Sequence, residues 1–95
     1  MNDKLKIAFT IITYKRHLSL AKCLESINRL SNELIDFQVI LVSNDPHDME
    51  VEMIARQQLS KHPLIFAIEP KRGIPYARNK SVEIALNTNI DGIFF

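Results

Sequence analysis

At 95 residues the chain makes one small domain at most, and with 12 basic against 11 acidic side chains it has no global field to draw nucleic acid or an anionic membrane. Its single cysteine, Cys23, excludes a disulfide framework or a cysteine-rich zinc site within the chain, and fits a reducing cytoplasm. With 46% hydrophobic and 24% charged residues the composition is that of an ordinary globular protein, so any recognition of an anion has to be local.

Residues 6–13 are β-branched and apolar at nearly every position, the pattern of a strand buried on both faces of a parallel sheet. The apolar part of this run is too short to cross a bilayer, and no small-residue cleavage site follows it. Over residues 18–30 the period becomes helical: Leu20, Leu24 and Ile27 share one side, with Lys22, Glu25 and Arg29 on the other. A second buried strand is predicted at 37–42, and the turn formers of 43–48 make a loop. Val51, Ile54, Ala55 and Leu59 predict a second helix, which Pro63 helps to end. A third strand follows at 64–69. The loop at 70–74 leads to Pro75, a natural first helical position, and Ala77, Ser81, Ile84 and Ala85 form a stripe small enough to pack closely on a sheet. Residues 90–95 begin a fourth strand.

This order predicts an α/β fold, a Rossmann-like βαβαβαβ arrangement with a mostly parallel sheet and helices on both faces. Ligands of such sheets bind beyond the carboxyl ends of the strands, here 13–17, 43–48 and 71–78. The chain closes on an apolar strand with no turn or cap, an open edge that reads as the front part of a longer domain.

Within the third loop, Arg72 and Gly73 precede a helix whose first N–H groups carry partial positive charge, and Arg78 can hold phosphate bidentately. The same residues, with Lys71, read equally as solvated charges beside a helix-entry turn. Tyr14 can stack on a base or pack at the strand end. Asp45, His47 and Asp48 lack a recognised metal-ligand spacing and read as a solvated loop. His17 and His62 are expected on the surface, Cys23 as a small packing residue, and Met49 and Met53 as core filler.

Five blocks, in order, resemble family 2 glycosyltransferases. Ile12-Thr-Tyr-Lys-Arg16 is similar to the family's Pro-Thr-Tyr-Asn-Arg, and Leu24-Glu-Ser-Ile27 follows on a helix as in the family. Val42-Ser-Asn-Asp-Pro-His-Asp48 occupies the slot of Val-Asp-Asp-Gly-Ser-x-Asp, and Lys71-Arg-Gly-Ile-Pro-Tyr-Ala-Arg-Asn79 resembles Asn-x-Gly-x-x-x-Ala-Arg-Asn. Asp91-Gly-Ile-Phe-Phe95 looks like the strand that leads into the family's Asp-x-Asp.

The resemblance implies the nucleotide-binding half of a GT-A fold over residues 1–95, which takes a nucleoside-diphosphate sugar for inverting transfer to a saccharide or lipid-linked acceptor. Carried over by position, Thr13, Tyr14 and Arg16 belong to the donor site. Ser43, Asn44 and Asp45 meet the base, and Gly73 and Arg78 lie near ribose and diphosphate. Ser43 stands where the family commonly has an aspartate that bonds uracil, so Asn44 or Asp45 substitutes or the base differs. The parent would use a divalent cation, manganese or magnesium, held by Asp-x-Asp, and a carboxylate base; both are expected beyond residue 95, so the chain alone is expected to be inactive. Surface polysaccharide or glycolipid synthesis, on the cytoplasmic side or peripheral to the inner membrane face, is implied by analogy alone. A dinucleotide-binding domain fails for want of glycine in Thr13-Tyr-Lys-Arg-His17, and a receiver domain lacks its acidic pair. From another class, a non-catalytic nucleotide-binding or interaction module from a truncated reading frame stays open.

Overall fold

A computed structural model describes residues 4–31 and 33–94. Its elements are β1 (Leu5–Thr13), α1 (His17–Asn28), β2 (Ile35–Ser43), α2 (Val51–Gln58), β3 (Leu64–Ile68), α3 (Ile74–Leu86) and β4 (Gly92–Phe94). All four strands are parallel, in the order β3-β2-β1-β4. The predicted α/β fold and alternating order are therefore present. Phe95, expected at the end of β4, lies outside the described residues.

The order explains the layers. The chain steps outward from β1 to β2 to β3, then returns past both to pair β4 with the free side of β1. Right-handed crossovers in opposite directions put their helices on opposite faces. Leu20, Leu24 and Ile27 of α1, and Val51 and Ala55 of α2 with Leu59 after it, cover Val39 and Leu41 on one face. Ala77 and Ala85 of α3 cover Ala8, Ile40 and Val42 on the other. The small stripe of α3 lets its backbone lie close to the sheet, and Ser81 satisfies its hydroxyl by donating to Arg78 O at 2.8 Å.

β2 is the strand buried on both faces, from Val39 to Ser43. Burial of β1 on both faces is only partial, because β4 beside it is three residues long and leaves Phe9, Ile11 and Ile12 half-exposed. Phe9 stacks between Phe37 and Phe94, 5.6 Å from each ring centre. Asp91 locks the start of β4 to β1: its N–H donates to Lys6 O at 2.7 Å, and its carboxylate accepts from Lys6 N at 2.8 Å.

Four local expectations are corrected. Met49 and Met53 are 83% and 55% exposed, not core filler; α2 has only two turns, and Val51 and Ala55 already occupy its inward side. Cys23 is exposed, because the inward stripe of α1 is no wider than Leu20, Leu24 and Ile27. His62 is half-buried, with Nε2 bonding Leu30 O at 2.9 Å and its ring edge-on to Phe37. His17, also half-buried, is described with the site.

Leu24 is fully buried at the centre of the α1–α2 face. Leu24→Ala should cost about 2–5 kcal/mol, measured by urea unfolding, a large part of the ~5–15 kcal/mol that such a domain commands. A cost under about 1 kcal/mol would show that this face is loosely packed.

Candidate functional site at the carboxyl end of the sheet

Because the sheet is parallel, the carboxyl ends of β1, β2 and β3 and the N-termini of all three helices lie at one end. The reversal of strand order between β1 and β4 is the place where open α/β sheets bind ligands. Alternation along the strands then sorts the residues. Phe9 and Ile11 face α1 and α2, so Thr13 does too, whereas Ala8 and Ile12 face α3, and Tyr14 continues toward that side. In β2 the same rule puts Ser43 on the α1–α2 side and Asn44 on the α3 side.

On the α3 side, residues 69–73 cross over the end of β2 and reach β1. The Arg72 guanidinium lies 4.1 Å from the centre of the Tyr14 ring, and Lys15 Nζ lies 5.2 Å from it. Lys71 Nζ covers the Tyr76 ring at 4.2 Å. Asn44 sits beneath, 5% exposed, with Nδ2 donating to Glu69 O at 2.8 Å and Lys71 O at 2.9 Å, and Oδ1 accepting from Gly73 N at 3.0 Å. Gly73 then enters α3 at φ 132, where an added Cβ would stand 3.1 Å from Tyr76 Cδ2. Neither α1 nor α3 has a side-chain cap; α1 presents its first-turn N–H groups toward this end, whereas in α3 Pro75 has no N–H and Tyr76 N and Ala77 N donate to Gly73 O, which leaves the Ile74 N–H. Lys15, at φ 53, makes the sharp turn between Tyr14 and Arg16, the exposed N-cap of α1. Arg78 is the fifth residue of α3, about 6 Å along the axis from its start, so it must reach back to serve the helix end.

On the α1–α2 side, Thr13 and Ser43 are 5% and 1% exposed and form the floor. Ser43 Oγ is 3.3 Å from both the carbonyl and the N–H of Asp45, while Thr13 Oγ1 is buried with no partner. Asp45 accepts from His47 N at 3.0 Å. Asp48 is not solvated: its side chain is 8% exposed, and it accepts from His17 Nε2 at 2.5 Å and from Glu50 N at 3.1 Å, satisfying the entry to α2. The loop is thus pinned to the start of α1, because the two helices pack side by side. The eight residues singled out from the sequence gather at this one end but on two levels, with Tyr14, Asn44 and Gly73 meeting the crossing segment and Thr13 and Ser43 below it.

Tyr76 and the His17–Asp48 pair have a place here that sequence reasoning did not single out, and Arg72, read there only as a charge beside the helix start, lies on Tyr14. An arginine after β3 and a tyrosine after β1 look unrelated until strand order puts β1 and β3 on either side of β2. A concavity of 510 Å³ lies at the opposite, amino end, lined by Lys4, Lys6, Gln38, Lys61 and His62 among others. Helices point their C-termini there, where partial negative charge disfavours an anion. We place the site at the carboxyl end for that reason. Among the described residues no three His, Cys, Asp or Glu side chains are grouped to hold a metal, so the cation that the resemblance implies has no ligand set in them.

The Asp48 hydrogen bond raises the His17 pKa against the opposing effect of burial, with the Asp48 and Glu50 charges adding to the rise. For Asp48 burial pushes upward, but hydrogen bonds from His17, Glu50 N and Val51 N and the His17 charge outweigh it, and the pKa is lowered. A raised histidine stabilises fully below its ordinary 6.5 and loses the effect as pH rises through the raised value; a lowered aspartate stabilises above its ordinary 3.8 and loses it as pH falls. The pair should therefore hold the loops best between those two values. Unfolding free energy should decline above pH 6.5 in the native chain, and His17→Gln should remove that part of the slope. Equal slopes would sink the assignment. Gly73→Ala should separately cost about 1–3 kcal/mol in thermal or urea unfolding, since a Cβ there is both strained and crowded by Tyr76.

Comparison with curated proteins and with solved structures gives no match. Residues 9–90, which run from within β1 to the residue before Asp91, match the family Glycosyl transferase family 2. That match covers every loop of the site just described, and the chain belongs to glycosyl transferase family 2.

Proposed function

We propose that this end of the sheet binds the nucleoside-diphosphate part of a nucleotide-sugar donor, for inverting transfer to a saccharide or lipid-linked acceptor in surface polysaccharide or glycolipid synthesis. The observation that carries the reading is the segment 69–73 laid across β2, which sets Arg72 on Tyr14 beside the uncapped start of α3. A base needs a flat face, and Tyr14 offers one; a diphosphate needs donors, and Arg72, Arg78 and the Ile74 N–H at the start of α3 are the donors at hand. Gly73 lets the backbone approach such a ligand closely. Arg16 adds positive charge at the edge, and Thr13, Ser43, Asn44 and Asp45 form the polar floor. In this reading Arg72 leaves the Tyr14 face to the base and turns to phosphate.

The divalent cation, manganese or magnesium, belongs to the larger transferase in this reading, and would offset charge on the departing diphosphate there. The sequence contains no Asp-x-Asp triplet. We accordingly propose donor binding without turnover for the chain by itself, and a location on the cytoplasmic side, peripheral at the inner membrane face. No helix among the described residues is long and apolar enough to cross a membrane.

Titration of the purified chain with uridine, guanosine, adenosine and cytidine diphosphates, with and without manganese, tests the reading by calorimetry. One nucleotide should bind in the absence of metal. Arg72→Ala should weaken it by about tenfold or more, the worth of a charge-assisted hydrogen bond. No heat from any of the four at about millimolar concentration would overturn donor binding. Sugar release from the matching nucleotide sugar, assayed in the same samples, would overturn the proposal that the chain does not turn over.

A further inference from the structure

Asn44 is bonded to β1 and to both ends of the crossing segment. Its N–H donates to Thr13 O at 2.9 Å, and its carboxamide takes Glu69 O, Lys71 O and Gly73 N. A primary amide has two donor hydrogens and an acceptor oxygen, and here each donor has its own carbonyl. With one face of Tyr14 covered by Arg72 and Asn44 lying under the backbone at 5% exposure, the amide is spent on the protein's own backbone.

We propose that Asn44 is a positioning residue, whose carboxamide holds residues 69–73 in the form that lays Arg72 on Tyr14 and turns Gly73 into α3. It acts on a donor through that segment and not by reading the base; this last point rests on the function proposed above, while the positioning itself does not. The requirement is for an amide and nothing smaller in chemistry. An aspartate of the same size would set one acceptor oxygen, in the place of Nδ2, against both Glu69 O and Lys71 O, at distances of 2.8 and 2.9 Å in the native chain, with no hydrogen between. Protonated, it regains one donor of the two. Asn44→Asp therefore opens the segment at neutral pH and recloses it in part as acid protonates the new carboxyl. Other ionising or charged groups face the same place: Glu69, whose carboxylate accepts from Lys71 N at 3.0 Å, Asp45 beside it, and Lys15, Lys71 and Arg72 over the two tyrosine rings. They are common to both chains, so the difference between the two titrations belongs to position 44.

The test is NMR on the labelled 95-residue chain without ligand. The readout is the ring-current displacement of the Arg72 side-chain signals by Tyr14, identified by its loss in Tyr14→Leu. The native chain should keep it at neutral pH; Asn44→Asp should lose most of it there and regain part on acidification, a reversal that mere destabilisation would not give. Identical Arg72 signals in both chains at neutral pH would overturn the proposal. Should Asn44→Asp fail to fold, the native chain still decides. Both Asn44 side-chain amide protons should exchange with water at least about tenfold more slowly than those of exposed Asn89, since each is held in a buried hydrogen bond. Exchange at the Asn89 rate would overturn the proposal. Nucleotide titration of the same samples separates the two ideas: if the Arg72 signals behave as stated and nothing binds, Asn44 positions the segment and the donor-binding reading falls.

Discussion

Burial of β2 on both faces is the constraint from which the rest follows. Val39, Ile40, Leu41 and Val42 have no accessible surface, which requires a helix layer on each side and a strand on each edge. At roughly 1.5–3 kcal/mol for each large aliphatic side chain, these four positions supply a substantial share of what a domain this small can gather. The three crossovers meet the requirement in the way handedness allows: α1 and α2 go to one face on the outward path, and α3 to the other on the return. The same return brings β4 to β1 and opens the crevice at the carboxyl end.

The site inherits its geometry from that strand. Ser43 and Asn44 are the residues at which β2 passes from apolar to polar, still at 1% and 5% exposure, so their polar groups have to be satisfied from within. Asn44 finds its partners in the segment that follows β3, which is one strand away, and so draws that segment over the end of β2. Arg72 then reaches the ring at the end of β1. The contact is a consequence of a buried amide needing partners, and the cation–π energy, of order 0.5–2 kcal/mol, adds to an arrangement the hydrogen bonds already specify. On the other face Asp48 plays the matching part, joining the start of α2 to the start of α1 through His17.

Most of the architecture was legible before any coordinates. Short, nearly continuous apolar runs mark the strands and a period of 3.6 residues the helices, and the stripe of Ala77, Ser81 and Ala85 marks a helix meant to lie close to a sheet. Element ends shifted by one to three residues, as where β2 starts at Ile35. The misplaced residues share a cause. Met53 and Cys23 are apolar types on helices whose inward sides are already filled, Met49 lies in the loop before α2, and hydrophobicity without the width of the buried stripe does not say which ones lose the competition. Read singly, His17 and Asp48 have the pattern of surface and solvated residues, although each satisfies the other.

What the sequence determined by itself is the α/β alternation, the parallel sheet with helices on both faces, the three loops at the carboxyl ends of the strands, and the motifs that place the chain in glycosyl transferase family 2. These depend on local pattern, which a linear reading contains. Tertiary structure alone decided the strand order β3-β2-β1-β4, and with it which loops touch. It decided that Asn44 is committed to the backbone of residues 69–73, that Arg72 covers Tyr14, and that Asp48 joins two helix starts. The physical reason is that each of these is a pairing between residues 25 to 58 positions apart, set by which polar groups become buried together when the sheet closes.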